Sequence, residues 1–252
     1  MPYNAKQNNT PSLLQRQELV CNSKITTTIA GEHIQQTGIK SDEKKLSAIF
    51  STCPHLLQLS QFYASFYLPH ILKANWEFAL NQITEEFKAS LHNTSDEQQV
   101  LRAIRMYKNQ SHYVISMSEL LGLMSIENSC RSLSLVAEHA IQQTAFYLLR
   151  QMGIQSTQKC GWTILAMGKL GAEELNYSSD LDLLSLHSPS EINNDKQFIE
   201  LSQRLIYMLS TKTKDGNGWR IDMRLRPNPS ATAISLDINT AIIYYESIAR
   251  TW

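Results

Sequence analysis

Several features that identify common protein classes are scarce or missing in this sequence. Its 252 residues contain four cysteines, Cys21, Cys53, Cys130 and Cys160. No two of them form a CxxC pair and no His–Cys cluster accompanies them, which argues against a zinc site. Reduced thiols in a cytoplasmic protein are the expectation. Net charge is absent, since Lys plus Arg and Asp plus Glu each number 23. The basic excess of a general nucleic-acid binder is therefore missing, although a local Arg and Lys cluster is still allowed. No apolar run reaches the ~20 residues of a membrane span. The opening MPYNAKQNNTPS lacks the apolar core of a signal peptide. There is no internal repeat and no low-complexity tract.

What remains is an ordinary globular composition, 42% apolar, in a chain long enough for one large domain or two modest ones. Three regions follow from the pattern. Residues 1–45 are rich in Asn, Gln, Thr, Ser and Lys and read as a polar, loosely ordered lead, with a short helix around Leu13, Leu14, Leu19 and Val20. Residues 46–153 are helical, with apolar positions spaced by three and four. Pro69 is expected to kink or end one helix. Thr94 or Ser95 is expected to cap another. A long helix over 126–152 stops at Gly153. From 154 to 252 the texture is α/β. Strands are expected at Trp162–Met167, Asp180–Leu186 and Trp219–Leu225, and helices at Phe198–Leu209 and Leu236–Ile248.

The chemistry concentrates in two stretches, GKLGAEELNYSSDLDL (168–183) and RIDMRLRP (220–227). Strand side chains alternate faces, so Asp180 and Asp182 share one face while Leu181 and Leu183 enter a core. Two like charges that close repel, and a cation relieves the repulsion. Oxygen-only ligands favour a hard ion such as magnesium. On the third strand, Asp222, Arg224 and Arg226 are expected on one face, with Arg220 preceding them. Asp222 would supply a third carboxylate and the arginines would hold phosphate oxygens. Gly168 and Gly171 would let the backbone approach phosphates, and Lys169, Ser178 and Ser179 would add charge and donors. Each part alone has a plainer structural reading. A DxD pair is common on strands, Arg-x-Arg often marks a solvated edge, Lys169 can be a surface lysine, and the serines can simply shape a turn. The combination is more specific. A glycine turn after one strand, a DxD twelve residues later and an Asp on a third strand form the pattern of the polymerase-beta-like nucleotidyltransferase superfamily. The usual Gly-Ser is Gly168-Lys169 here.

These two stretches resemble the glutamine synthetase adenylyltransferase/adenylyl-removing enzyme family, whose pattern is similar to GKLGGxELNxSSDIDL and RVDxRLRP. The segment from Tyr244-Tyr245-Glu246-Ser247 to Arg250-Thr251-Trp252 also looks like the family's. The resemblance covers roughly 46–252 and is strongest from Gly161 onward. Ala172 stands where many members have glycine, and Asn228-Pro229-Ser230 replaces a glycine-bearing loop.

The resemblance implies an α+β fold, a helical N-terminal region followed by a nucleotidyltransferase α/β domain with a mixed sheet. It implies transfer of AMP to or from a tyrosine of glutamine synthetase, with ATP or ADP, phosphate and Mg2+ at the site. Asp180, Asp182 and Asp222 are the implied catalytic and metal-binding residues. Gly168, Lys169, Gly171, Ser178, Ser179, Arg224 and Arg226 would contact nucleotide or phosphate. The helical lead-in and RIDMRLRP look more like the half that removes AMP by phosphorolysis, releasing ADP. Further expectations are glutamine synthetase and a nitrogen-signalling regulatory protein as partners, no nucleic acid or membrane, and a cytoplasmic location. Since the family continues past the tryptophan and carries a second such half, a fragment or truncated product is also expected. Two alternatives are a catalytically inactive regulatory or nucleotide-binding remnant and a nucleotidyltransferase acting on a small molecule.

Overall fold

Helical periodicity in the first half of the sequence becomes a layer of long helices. The computed structural model describes residues 42–154, 160–188 and 195–247. The expected short helix around Leu13 to Val20, Cys21 and the Arg250-Thr251-Trp252 stretch lie outside the described residues. The helices of the layer are α1 (Asp42–Thr52), α2 (Pro54–Leu72), α3 (Trp76–His92), α4 (Glu97–Leu120) and α5 (Ile126–Gln151). Pro69 does not end its helix, because α2 continues through it to Leu72. The break falls earlier, at Cys53. Pro54 opens α2 where a missing N–H costs nothing, since the first N–H groups of a helix have no partner anyway. The cap of α4 is neither Thr94 nor Ser95. Asp96 Oδ1 accepts from the Gln98 N–H at 2.9 Å, and Thr94 Oγ1 accepts from the Asp96 N–H at 3.0 Å.

The second half forms a small mixed sheet with three further helices among the described residues. Its elements are β1 (Trp162–Ala166), the single turn α6 (Gly168–Gly171), β2 (Leu181–His187), α7 (Asp195–Ser210), β3 (Ile221–Asp222), β4 (Ser235–Asp237) and α8 (Ile238–Ser247). β2 is central. It pairs antiparallel with β1 and parallel with both β3 and β4. β3 takes the start of β2, and β4 takes its end.

Two expected elements differ. The third strand is two residues long instead of seven. After Asp222 the chain turns, because the Arg224 N–H donates back to Asp222 Oδ1 at 2.8 Å. The expected helix over 236–248 begins as β4, and α8 starts only after Asp237. The Asp237 carboxylate accepts from the N–H groups of Asn239 and Thr240 at 2.9 and 3.1 Å, a local side-chain cap.

One continuous apolar core runs from Leu46 in α1 through α5 to Leu183 in β2 and Met223 after β3. A smaller cluster of Leu184, Leu186, Leu236 and Ala241 lies under α8. α4 also reaches across with polar groups. Arg105, fully buried, donates from Nη2 to the Met208 carbonyl and from Nε to the Thr211 carbonyl, both at 2.8 Å. Lys108 Nζ donates to the Gly218 carbonyl at 2.7 Å, and Asn109 Nδ2 to the Asp215 carbonyl at 3.0 Å. The segment that leads into β3 is thus fastened to α4 before it reaches the sheet. No described helix is long and apolar enough to cross a membrane.

Candidate active site

The run WTILA is a short apolar strand, and at its end Gly168 turns the chain. Gly168 has φ +54°, a conformation that L side chains rarely adopt. A Cβ there would also strike the Asp182 carboxylate, whose Cγ would lie 3.2 Å away. Glycine is therefore required twice over, and the two ends of GKLGAEELNYSSDLDL are in contact. Gly171 is confined differently. A Cβ on it would sit 2.6 Å from the Ala166 carbonyl oxygen. Lys169 is exposed on this turn.

The loop that follows is pinned to the helical layer. Glu173 pairs with Arg131 at 3.1 Å, the Leu175 N–H donates to Ser134 Oγ at 3.2 Å, and the Tyr177 hydroxyl donates to Glu119 Oε2 at 2.8 Å. Asn176 and Ser179 close a tight turn, with Ser179 Oγ accepting from the Asn176 N–H at 3.1 Å and the Ser178 N–H donating to Asn176 Oδ1 at 3.0 Å. Asp180 follows directly.

The strand register then assembles the acids. Asp182 pairs in register with Asp222 across the parallel β2–β3 ladder, so their side chains emerge side by side. Asp180 lies just before β2, outside the strand expected to begin with it, yet near enough to bear on Asp182. The electrostatics record the crowding. Partial burial, then Asp222, then Asp180 push the Asp182 carboxyl above its ordinary range. Asp222 moves the opposite way. The guanidinium and backbone N–H of Arg224 both bind it and hold its carboxyl below the ordinary range. Arg220 forms an ion pair with Asp180, yet Asp180 Oδ1 receives no hydrogen bond in proper geometry.

The structure therefore unites Gly168, Asp180, Asp182 and Asp222. It does not place Arg224 and Arg226 on a shared strand face. Arg224 Nη2 lies 2.5 Å from Asp222 Oδ2. Arg226 donates to the carbonyls of Met223 and Pro229 at 2.7 and 2.8 Å, which shapes the turn after β3. The serines sit in the turn before Asp180. Sequence reasoning noted Arg220 only as a neighbour and missed the α4 residues Lys108 and His112. The available signal was their spacing of four, which puts both on one side of a helix.

Among the described residues no group of three or more His, Cys, Asp or Glu side chains is arranged as a metal-ligand cluster. As placed, Arg220 and Arg224 engage two of the three acids. Their side chains are 73% and 83% exposed. The acids differ, for the Asp180 side chain is 41% exposed and that of Asp222 14%, and Arg224 grips both Asp222 oxygens. The chemistry of the donors, three carboxylates beside a backbone turn, is of the oxygen-only kind that a hard divalent cation takes, while their placement here is not that of a ligand cluster.

Comparison with known proteins gives a consistent result. The family model described as Glutamate-ammonia ligase adenylyltransferase matches residues 45–252. Similar curated relatives bear the name bifunctional glutamine synthetase adenylyltransferase/adenylyl-removing enzyme. The one from Bartonella henselae is 33% identical over 228 residues, covering 82% of this chain and 23% of its own. The one from Bradyrhizobium sp. (strain BTAi1) is 30% identical over 223 residues, covering 82% and 22%. The one from Mesorhizobium japonicum is 31% identical over 228 residues, covering 82% and 23%. The chain thus spans less than a quarter of the length of these relatives. With the glycine turn, the paired carboxylates and the mixed sheet in place, the match over residues 45–252 leads to one conclusion: the chain belongs to the glutamate–ammonia ligase adenylyltransferase family.

Proposed function

We propose that this chain is a nucleotidyl-transfer domain that moves AMP to or from a tyrosine of glutamine synthetase, acting in the removing direction. The observation that carries the reading is the register of Asp182 on Asp222 beside the Gly168 turn. It brings three carboxylates against the place where a backbone turn admits a phosphate. The direction rests on the helical lead-in and on RIDMRLRP. Glutamine synthetase as partner and a cytoplasmic location belong to the same proposal, as does binding of a nitrogen-signalling protein.

In this reading an oxygen of inorganic phosphate bonds to the AMP phosphorus. The phosphorus–tyrosine oxygen bond breaks, the tyrosine oxygen takes up a proton, and ADP leaves. Asp180, Asp182 and Asp222 would hold Mg2+, which when bound neutralises phosphate oxygens. Gly168 keeps the backbone close and prevents any side chain from covering Asp182. The pinned loop from Glu173 to Ser179 fixes where Asp180 stands. Arg220 and Arg224 act as counter-ions to Asp180 and Asp222.

Those same two ion pairs favour a second reading, a regulatory nucleotide-binding domain without turnover. One assay separates them. The purified chain is incubated with adenylylated glutamine synthetase, Mg2+ and phosphate, and ADP is measured. Release of ADP that Asp180→Asn abolishes, with the fold intact by circular dichroism, supports the enzymatic reading. A folded chain that yields no ADP refutes it.

A further inference from the structure

A cavity of 140 Å³ lies between the Asn176–Ser179 turn, α4 and the segment before β3. Lys108 and His112 enter it from α4, Ser178 and Ser179 from the turn, and Trp219 and Arg220 from the segment before β3. No Asp or Glu is among the described residues that line it. Two cations and several neutral donors therefore face a space without a carboxylate. Its volume is close to that of a cavity of about 150 Å³ known to take one benzene-sized ligand, a size class that includes a phosphate group.

Lys108 is fixed in place. It lies 5.0 Å over the Trp219 ring, and its bond to the Gly218 carbonyl uses one of three ammonium donors. Arg220 links this cavity to the acids. Its Nη2 donates to the Ser178 carbonyl at 2.6 Å while Nε faces Asp180. The nearby acids are already engaged, Glu119 by Tyr177 and Asp180 by Arg220. The arginines that sequence reasoning assigned to phosphate are engaged too, Arg224 on Asp222 and Arg226 on turn carbonyls.

We propose that this cavity is an oxyanion pocket for a phosphate group adjoining the carboxylate site. Lys108 supplies the charge, Arg220 bridges to Asp180, and His112, Ser178 and Ser179 act as neutral donors. Its electrostatics agree. Burial first, then Arg105 and Arg220, depress Lys108 to about 8, and an anion beside it would favour the charged form. Burial pushes His112 down to about 3, so its ring is a neutral donor. Only the identity of the phosphate, the attacking ion or a phosphate of the nucleotide, rests on the nucleotidyl-transfer reading.

Trp219 provides the readout. Inorganic phosphate, ADP and, as a competitor, sulfate are titrated into the 252-residue chain and followed by tryptophan fluorescence, with Trp219→Phe to identify the responding residue. Saturable phosphate binding is expected, weakened at least about tenfold in Lys108→Gln and in the surface variant Arg220→Gln, as for loss of a charge-assisted contact. Binding of free phosphate assigns the pocket to the attacking ion. Binding of ADP alone, with the same loss in Lys108→Gln, assigns it to the nucleotide. If neither ligand binds, or both bind Lys108→Gln and Arg220→Gln as well as the original chain, the inference is overturned. Where free phosphate binds and so assigns the pocket to the attacking ion, a chain that releases ADP with an unaltered phosphate KM in Lys108→Gln would also overturn it, while leaving the proposed activity standing. Phosphate binding by a chain that never releases ADP would do the reverse.

Discussion

Replacing Asp182 by Asn should abolish transfer and at the same time stabilise the protein. Asp182 and Asp222 are cross-strand neighbours, and neighbouring strands lie about 4.8 Å apart. Two unit charges at that distance repel by about 3.5 kcal/mol at an effective dielectric of 20 and by about 0.9 kcal/mol in water. Asp182 is only partly buried and Arg224 offsets some of the repulsion, so the low end applies. Removing the charge should add about 1 kcal/mol at pH 7, or about 2–4 °C in Tm for a protein of this size. The pH dependence follows from the raised carboxyl. A carboxyl lifted in the folded state penalises the fold once ionised. The penalty is absent below the unfolded value near 3.8, develops as pH rises through the folded value, and is complete at neutrality. The advantage of Asp182→Asn should therefore be present at pH 7 and vanish near pH 3. Asp222, whose carboxyl is depressed, contributes in the opposite sense. Its stabilisation is complete above pH 3.8 and disappears as pH falls through the lower folded value. Thermal melts from pH 3 to 8, with and without Mg2+, test this. Mg2+ at a hundredfold excess over its Kd would raise the stability of the original chain by about 2.7 kcal/mol and leave Asp182→Asn nearly unmoved. Without Mg2+, a lower Tm for Asp182→Asn at pH 7, or a gain that persists at pH 3, would refute the account of three crowded acids.

Two further outcomes are expected. Gly168→Ala and Gly122→Ala both force alanine into a positive φ, +54° and +76°, but a Cβ at Gly122 meets nothing within 4 Å. Each should lose about 1–2 kcal/mol in urea unfolding, and only Gly168→Ala should also lose transfer, through its contact with Asp182; equal activity in the two would contradict that contact. Arg105→Ala strands the carbonyls of Met208 and Thr211 in the interior and should cost about 3 kcal/mol with an unchanged m-value. A loss under 1 kcal/mol would mean that the α4 tether is dispensable.

The legible parts of this protein were those governed by local rules. Apolar spacing marked the helices of residues 46–153 and gave the span of α5, and the DxD spacing kept Asp180 near Asp182. Glycine at 168 marked the turn. What escaped depended on tertiary partners. That Asp222 pairs with Asp182 and no other residue is a register choice, set by where α4 holds the chain between Met208 and Gly218. The third strand read as seven residues because WRIDMRL alternates well, but the Arg224 N–H prefers the Asp222 carboxylate two residues back to a ladder partner. The start of α8 was hidden because Leu236 satisfies a helical period and a strand equally. Arg105 looked like one more polar residue among apolar ones, and its role appears only once α7 lies across it.

The shared core and the α4 tethers bear on how this protein can be taken apart. The sequence suggests a seam at Gly153, yet cutting there would expose the apolar face of α5 that packs on α7 and remove the three side chains that anchor the strand carrying Asp222. A shortened chain starting after Gly153 would keep every acid of the site but lose the register that brings them together. The helical layer therefore serves as the jig on which the carboxylate geometry is set, and any domain transplant should carry it along.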